Sequence, residues 1–98
     1  MIPAADCKTM ADLRRQIDLL DAEIVALLIR RTAYIDRAAE IKPAEGLPAR
    51  IPDRVEEVIA RVRARSGEGG LDPDLAESVW RVLVEWSIAR EERAMEGK

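Results

Sequence analysis

The first half of the chain carries a seam of positions spaced alternately by four and three residues. Its members are Leu13, Ile17, Leu20, Ile24, Leu27, Arg31, Tyr34, Ala38 and Ile41. Nine positions in one register predict a single long helix with one apolar face. Thr9 is the predicted N-cap, with Asp12 three residues later, and Pro43 predicts the end of the helix behind Lys42.

Two further helices follow a connection rich in proline and glycine. Pro52 suits the first turn of the second helix, whose apolar residues share one face as far as the glycine-rich break at residues 66–70. Those residues are Val55, Val58, Ile59 and Val62. Asp72-Pro73 predicts the start of the third helix. Its apolar stripe consists of Leu75, Val79, Val82, Trp86 and Ala89. The pattern predicts an all-α fold of a long, a short and a medium helix.

The length of the chain limits how these helices pack. The 98 residues are enough for one domain, predicted to span residues 1–98. A first helix of roughly 33 residues is about 50 Å long, whereas a compact monomer of this size is on the order of 33 Å across. The long helix is therefore predicted to pair with a second copy of the chain in a homodimer.

Composition excludes several classes of function. A net charge of −3 and a pI near 5.0 argue against nucleic acid or an anionic membrane as the main partner. The absence of His excludes a His general base and a His-ligated metal, and the single Cys7 allows no internal disulfide. We predict no metal and no cofactor. Without a basic, apolar leader or an apolar run of about 18 residues, the expected location is the cytoplasm.

Arg31 interrupts the apolar seam where a leucine is expected. A buried guanidinium needs an anionic partner, which is either an internal carboxylate or a bound ligand. Lys42 lies three turns later on nearly the same face, with its Cα roughly 16 Å from that of Arg31, so the two cations suit a small dicarboxylate. Arg14 is roughly 25 Å from Arg31 along the helix and reaches that site only from an antiparallel partner.

The third helix carries a second stripe that includes polar residues. Val84, Ser87 and Glu91 place a hydroxyl and a carboxyl one turn apart. This stripe is either part of a binding site or the solvated edge of the helix. Arg54, in the first turn of the second helix, has the same two interpretations.

Taken together, these residues resemble the all-helical chorismate mutase family. The matching pattern is Arg14 within Ala-Asp-Leu-Arg-Arg-Gln-Ile-Asp, Arg31 within Arg-Arg-Thr-Ala-Tyr, Lys42, Pro48-x-Arg50, Arg54, Ser87 and a polar residue at position 91. The resemblance covers residues 7 to 95. The spacings of 17 and 11 residues between the cations are its most specific feature. Cys7, Tyr34 and Pro52-Asp53-Arg54-Val55 look similar to the branch that includes isochorismate-pyruvate lyase.

The resemblance implies a role for each polar position. The family fold is an intertwined helical homodimer with two equivalent sites, each of which receives the first arginine from the other subunit. Arg14 supplied in trans and Arg31 are then expected to bind the two carboxylates of chorismate. Lys42 is expected to donate to a carboxylate and to the ether oxygen. Glu91 is expected on the other side of the ether oxygen, at a position where most members have Gln. Ser87 is expected near the ring.

Three further positions are expected to bind substrate by the same resemblance: Ile51, Arg54 and Val55. Typical mutases have Asp and Glu in place of Ile51 and Val55, and the second of these contacts the ring hydroxyl. The apolar replacements are shared with the lyase branch, so they affect the expected choice of substrate.

The implied activity is that of a chorismate mutase, the rearrangement of chorismate to prephenate in chorismate metabolism and aromatic amino acid biosynthesis. This pericyclic reaction requires no nucleophile, general base or metal, so a chain without His is suited to it. An ionised Glu91 cannot donate to the ether oxygen, which predicts that the active form carries the proton. The alternatives are an isochorismate-pyruvate lyase, an aminodeoxychorismate mutase, and a catalytically silent helical dimer that binds a related metabolite.

Overall fold

A computed structural model describes residues 1–97 as a helical protein, and no strand occurs among these residues. A short 3-10 turn at Ala4–Asp6 precedes three α-helices. These are α1 (Met10–Ala44), α2 (Pro52–Gly69) and α3 (Pro73–Glu96). The predicted all-α class and the order of a long, a short and a medium helix are confirmed.

The chain divides into two compact units. The first consists of residues 1–33 and the second begins at Tyr34, so α1 contributes residues to both. The single domain over residues 1–98 and the homodimer stay predictions.

The helix starts follow from local side-chain chemistry. The Thr9 hydroxyl accepts a hydrogen bond from the Asp12 amide at 3.1 Å, as predicted for the N-cap of α1. The Asp12 carboxylate in turn accepts from the Lys8 amide at 3.3 Å. At α3, Asp72 accepts from the Asp74 amide at 2.9 Å, and Pro73 is the first helical residue. Both predicted starts are confirmed.

The predicted helix ends need two corrections. Pro43 lies inside the last turn of α1, which ends at Ala44 instead of stopping behind Lys42. A proline lacks one amide donor but has a helical φ, so it removes one hydrogen bond without ending the helix at once. Similarly, α2 continues through the predicted break and ends only where Gly70 adopts a φ of 86°. That left-handed conformation favours glycine and closes the helix.

The second unit has its core between α2, α3 and the connection that follows α1. Ala49, Val84 and Ile88 form a buried cluster, against which Val55, Val58 and Met95 pack. Interhelical ion pairs lie toward the other end of α2, where Arg63 is 3.0 Å from Asp74 and 2.9 Å from Glu77. The hydrogen bond with Arg81 and a second one with Arg63 lower the pKa of the Glu77 carboxyl below its usual range.

The buried face of α3 is not its most apolar stripe. Leu75, Val79, Val82 and Trp86 are exposed, whereas the buried residues of the helix are Ala76, Val84, Ser87, Ile88 and Glu91. The interpretation of Ser87 and Glu91 as a solvated edge is therefore wrong. Two polar side chains occupy the core-facing side of this helix.

The first unit consists of the N-terminal segment and the beginning of α1. The Ile2 amide donates to Oε1 of the buried Gln16 side chain at 2.9 Å. Most of the apolar seam in this unit is exposed, including Ile17, Leu20, Ile24 and Leu27. Among residues 1–97, no helix has the length and apolar character needed to span a membrane.

Candidate active site

Lys42 lies in the last turn of α1, close to the connection that leads to α2. A cation at this end of a helix interacts favourably with the unpaired carbonyl groups. Its side chain is only 18% exposed, and Nζ donates to the Ala49 carbonyl oxygen at 2.7 Å. The ammonium group is thus held within the second unit by a backbone acceptor.

Glu91 faces Lys42 from α3. Its side chain is 5% exposed, and Oε1 lies 2.6 Å from the Lys42 Nζ. The contact is an ion pair by distance only, because Oε1 is buried without a hydrogen bond from the residues that the structure describes. Burial removes water from both charged groups, and this desolvation offsets much of their mutual attraction. The pair therefore adds little to the stability of the fold, which is typical of charged residues retained at a functional site.

Ser87 lies one turn before Glu91 on the same buried face of α3. Its hydroxyl donates to the Leu83 carbonyl at 2.7 Å, which is a common way for a helical serine to satisfy its donor. The structure thus brings three of the predicted site residues to the interior of the second unit: Lys42, Ser87 and Glu91.

The apolar positions at the start of α2 are also drawn toward this interior. Ile51 is the half-buried N-cap residue of α2, and Val55 packs on the cluster formed by Ala49, Val84 and Ile88. Val55 accordingly presents methyl groups at a position where the resemblance expects a carboxylate. The side chains of Ile51 and Val55 thus present apolar surface and no hydrogen-bonding group.

Arg54 points elsewhere in the structure. Its guanidinium is exposed and pairs with Glu57 one turn later on α2. An exposed i, i+3 pair of this kind adds little to stability. The predicted role of Arg54 in substrate binding stays a prediction.

The two remaining predicted residues belong to the first unit. Arg14 is exposed and Arg31 is half-buried, and both lie on the continuous helix α1. Their separation of 17 residues corresponds to about 25 Å along the helix. Arg14 and Arg31 of one chain therefore do not converge, as the sequence predicts.

Sequence reasoning missed a second polar cluster in the unit that begins at Tyr34. Arg90 on α3 binds Asp36 on α1 through two hydrogen bonds of 2.6 and 3.1 Å, and its guanidinium lies 5.4 Å from the Trp86 ring centroid. The hydrogen bond from Arg90 lowers the pKa of the Asp36 carboxyl. An open cavity of about 280 Å³ beside this pair is lined by Asp36, Ala39, Glu40, Arg90 and Ala94.

The Ala49 carbonyl was also missed, since every residue has a carbonyl and nothing in the sequence distinguishes this one. The partner of Arg90 was equally hidden, because Asp36 and Arg90 are 54 residues apart. For the pair of Asp36 and Arg90, the opposite charges of the two residues are the only signal that the sequence contains. Among residues 1–97, no group of three or more Cys, Asp or Glu side chains is arranged to hold a metal ion.

Comparisons with known proteins agree with the resemblance. Residues 13–92 match the family model described as chorismate mutase type II. The chain is 34% identical over 87 residues to a protein of Pseudomonas aeruginosa named isochorismate pyruvate lyase, covering 88% of this chain and 84% of that one. It is 28% identical over 87 residues to a chorismate mutase of Methanocaldococcus jannaschii, covering 89% and 88% of the two chains.

A longer relative matches as well. The T-protein of Haemophilus influenzae is 31% identical over 84 residues, which are 86% of this chain but only 22% of that protein. The family model covers most of the chain, including Lys42, Ser87 and Glu91. The chain belongs to the chorismate mutase type II family.

Proposed function

We propose that this protein is a chorismate mutase that rearranges chorismate to prephenate. The observation that carries the proposal is the buried contact between Lys42 and Glu91, in which two groups of opposite charge lie 2.6 Å apart inside a small helical unit. These are the two positions at which the family resemblance expects the groups around the ether oxygen. A compact conformer of the substrate and a cation near the breaking bond are sufficient for a pericyclic reaction.

Each catalytic group has a defined task in this proposal. Lys42 donates to a substrate carboxylate and to the ether oxygen, where negative charge increases as the carbon–oxygen bond breaks. Glu91 lies where the resemblance expects a donor to the other side of the same oxygen, and it donates there only when substrate binding leaves its carboxyl with a proton. Ser87 lies near the ring, and the apolar Ile51 and Val55 exclude water from it.

The substrate carboxylates require two further cations. In the proposal, one carboxylate is bound by Arg31 of the same chain and the other by Arg14 of the partner subunit. Arg54 contributes to substrate binding. The exposed seam of the first unit supports a homodimer, because contiguous exposed apolar surface marks an interface. The distance of about 25 Å between Arg14 and Arg31 along α1 supports supply of Arg14 in trans. Neither a metal nor a cofactor takes part, and the enzyme is placed in the cytoplasm.

A second candidate function is isochorismate-pyruvate lyase activity, which gives salicylate and pyruvate. The packing of Val55 on the apolar cluster favours it, since no carboxylate is present there to bind the ring hydroxyl of chorismate. The 34% identity to a relative with that name points in the same direction. Both reactions are pericyclic and use the same cations.

One assay distinguishes these functions. The purified protein is incubated separately with chorismate, isochorismate and 4-amino-4-deoxychorismate, and the products are identified by chromatography against standards. Prephenate supports the mutase, whereas salicylate with pyruvate supports the lyase. Turnover of 4-amino-4-deoxychorismate alone indicates an aminodeoxychorismate mutase. Absence of turnover on all three substrates contradicts the proposal and leaves a metabolite-binding dimer.

A further inference from the structure

The connection between α1 and α2 folds back onto the end of α1. The Leu47 amide donates to the Lys42 carbonyl at 2.8 Å, and Gly46 between them has a φ of 69°, a left-handed conformation that favours glycine. These two features turn the chain so that the residues after Gly46 run beside the last turn of α1.

Ala49 is the residue of this connection that contacts Lys42. Its methyl group is buried against Val84 and Ile88, and its carbonyl accepts from the Lys42 Nζ at 2.7 Å. The methyl group is attached to Cα and not to the carbonyl carbon, so its packing alone does not fix the direction of the carbonyl. A second contact is needed to set the carbonyl direction.

Arg50 provides that contact. Its guanidinium forms a fork with Glu85 on α3, with hydrogen bonds of 2.9 and 2.6 Å. Bidentate pairs fix geometry better than single hydrogen bonds do. The hydrogen bonds raise the pKa of Arg50 and lower the pKa of Glu85, so both groups carry full charge at neutral pH. Arg50 follows Ala49 and Glu85 follows Val84, so the fork lies directly beside the alanine packing.

We propose that Arg50 and Glu85 are positioning residues that hold the Ala49 carbonyl against Lys42 and thereby aim its ammonium group. The inference rests on the proposed function of Lys42. A lysine side chain has four rotatable bonds and adopts many directions unless acceptors select one. With the carbonyl in place, the ammonium is shared between a neutral acceptor and the carboxylate of Glu91. When the connection is loose, the ammonium pairs more completely with Glu91 and is less available to substrate.

The test compares two ion pairs that both reach α3. The variants Arg50→Met and Glu85→Gln each remove the fork, and the exchanged pair Arg50→Glu/Glu85→Arg restores it with the charges reversed. The matched control is Arg63→Met, which removes the contacts of Arg63 with Asp74 and Glu77 at the far end of α2. We expect Arg50→Met and Glu85→Gln to lower kcat about fivefold with a smaller change in KM, because the orientation of the Lys42 ammonium matters most in the transition state.

The control separates positioning from stability. Arg63→Met is expected to lower Tm at least as much as Arg50→Met does, while kcat stays within about twofold of the wild type. Recovery of kcat in the exchanged pair is the second expected result. If kcat falls in proportion to Tm in every variant, including the control, the inference is wrong. It is also wrong if kcat is unchanged in both Arg50→Met and Glu85→Gln.

Two measurements do not depend on turnover. Hydrogen exchange followed by mass spectrometry is expected to become faster in residues 45–51 of Glu85→Gln but not of the control Glu77→Gln. The chain has three lysines, so lysine labelled with 13C at Cε gives few NMR signals, and that of Lys42 is expected to shift in Glu85→Gln but not in Glu77→Gln.

Unchanged exchange in residues 45–51, or an unchanged Lys42 signal, contradicts positioning by the fork. If the wild type converts none of the substrates, the proposed function is wrong. The exchange and NMR results then still decide whether Arg50 and Glu85 hold the connection and aim Lys42.

Discussion

Two regions of the molecule differ in which kind of side chain they bury and which they expose. Around Lys42, in the second unit, polar groups are buried and the charged ammonium lies between the Ala49 carbonyl and the Glu91 carboxylate. In the first unit, apolar side chains such as Leu20, Ile24 and Leu27 are about half exposed, at 46%, 54% and 58%. Both arrangements are unfavourable for an isolated chain. The charged groups around Lys42 are shielded from water, whereas the apolar side chains of the first unit are in contact with it. In the proposed function, a small dicarboxylate binds in the region around Lys42 and a second chain covers the exposed seam.

The largest expected effect comes from removing the buried cation. Lys42→Ala is expected to lower kcat by on the order of 10²-fold or more, because it removes the charge at the breaking bond. The same change leaves Glu91 buried without its counter-charge, so the fold is also destabilised. Measuring the substitution in a Glu91→Gln background separates the two effects. If the double variant Lys42→Ala/Glu91→Gln turns over substrate about as fast as Glu91→Gln, the assignment of Lys42 to this site is wrong.

Mixed dimers test whether the two regions serve one site. Arg14→Ala and Arg31→Ala proteins are unfolded together, refolded and assayed, with each protein refolded alone as the control. Random pairing gives mixed dimers in half of the population, and one of their two sites has both arginines. Recovery of about a quarter of the wild-type activity is therefore expected. An absence of recovery in dimers shown to be mixed is incompatible with a shared site.

The exposed seam is tested by placing a charge on it. Ile24→Asp is expected to shift the protein toward the monomer in sedimentation equilibrium and to lower kcat/KM at least about tenfold, since Arg14 of the partner is then lost. Ile29→Asp is the matched control, because this isoleucine is also exposed and lies on the opposite side of α1. Equal dissociation of both variants disproves the seam as the interface.

Glu91→Gln is expected to raise activity by a smaller factor. The Glu91 carboxylate lies 2.6 Å from the Lys42 ammonium, and an ionised carboxylate accepts hydrogen bonds but cannot donate one to the ether oxygen. A glutamine amide donates without gaining a proton, so kcat/KM of the variant at pH 7 is expected to be several-fold higher than that of the wild type. An unchanged or lower kcat/KM at pH 7 excludes position 91 as the donor.

The smallest expected effect concerns Asp36, which lies outside the proposed chemistry. The hydrogen bond from Arg90 lowers the pKa of this carboxyl in the folded protein. Its contribution to stability is therefore present above about pH 4 and is lost as the pH falls further. Asp36→Asn should lower Tm slightly at pH 7, with the difference from the wild type shrinking in more acidic solution. A constant difference at all pH values would show that the pair does not act through ionisation.

The sequence by itself determined the helices and the chemical types at the site. Local signals were sufficient for the N-caps at Thr9 and Asp72, because a cap needs only residues within one turn. The identities and spacing of Arg14, Arg31 and Lys42 identified the family, which the match over residues 13–92 confirmed. Helix ends were predicted less well, since the φ of Gly70 and the tolerance of Pro43 depend on the final backbone path.

Only the tertiary structure decided which face of α3 is buried. The more apolar stripe with Val82 and Trp86 is exposed, and the stripe with Ser87 and Glu91 faces inward, a result that periodicity cannot supply when two stripes compete. The contact of Glu91 with Lys42 and that of Arg50 with Glu85 join residues 49 and 35 positions apart. Such pairs form when helix packing brings distant segments together, and sequence spacing contains no distance of that kind. The residue types were thus fixed locally, whereas their partners were fixed by packing.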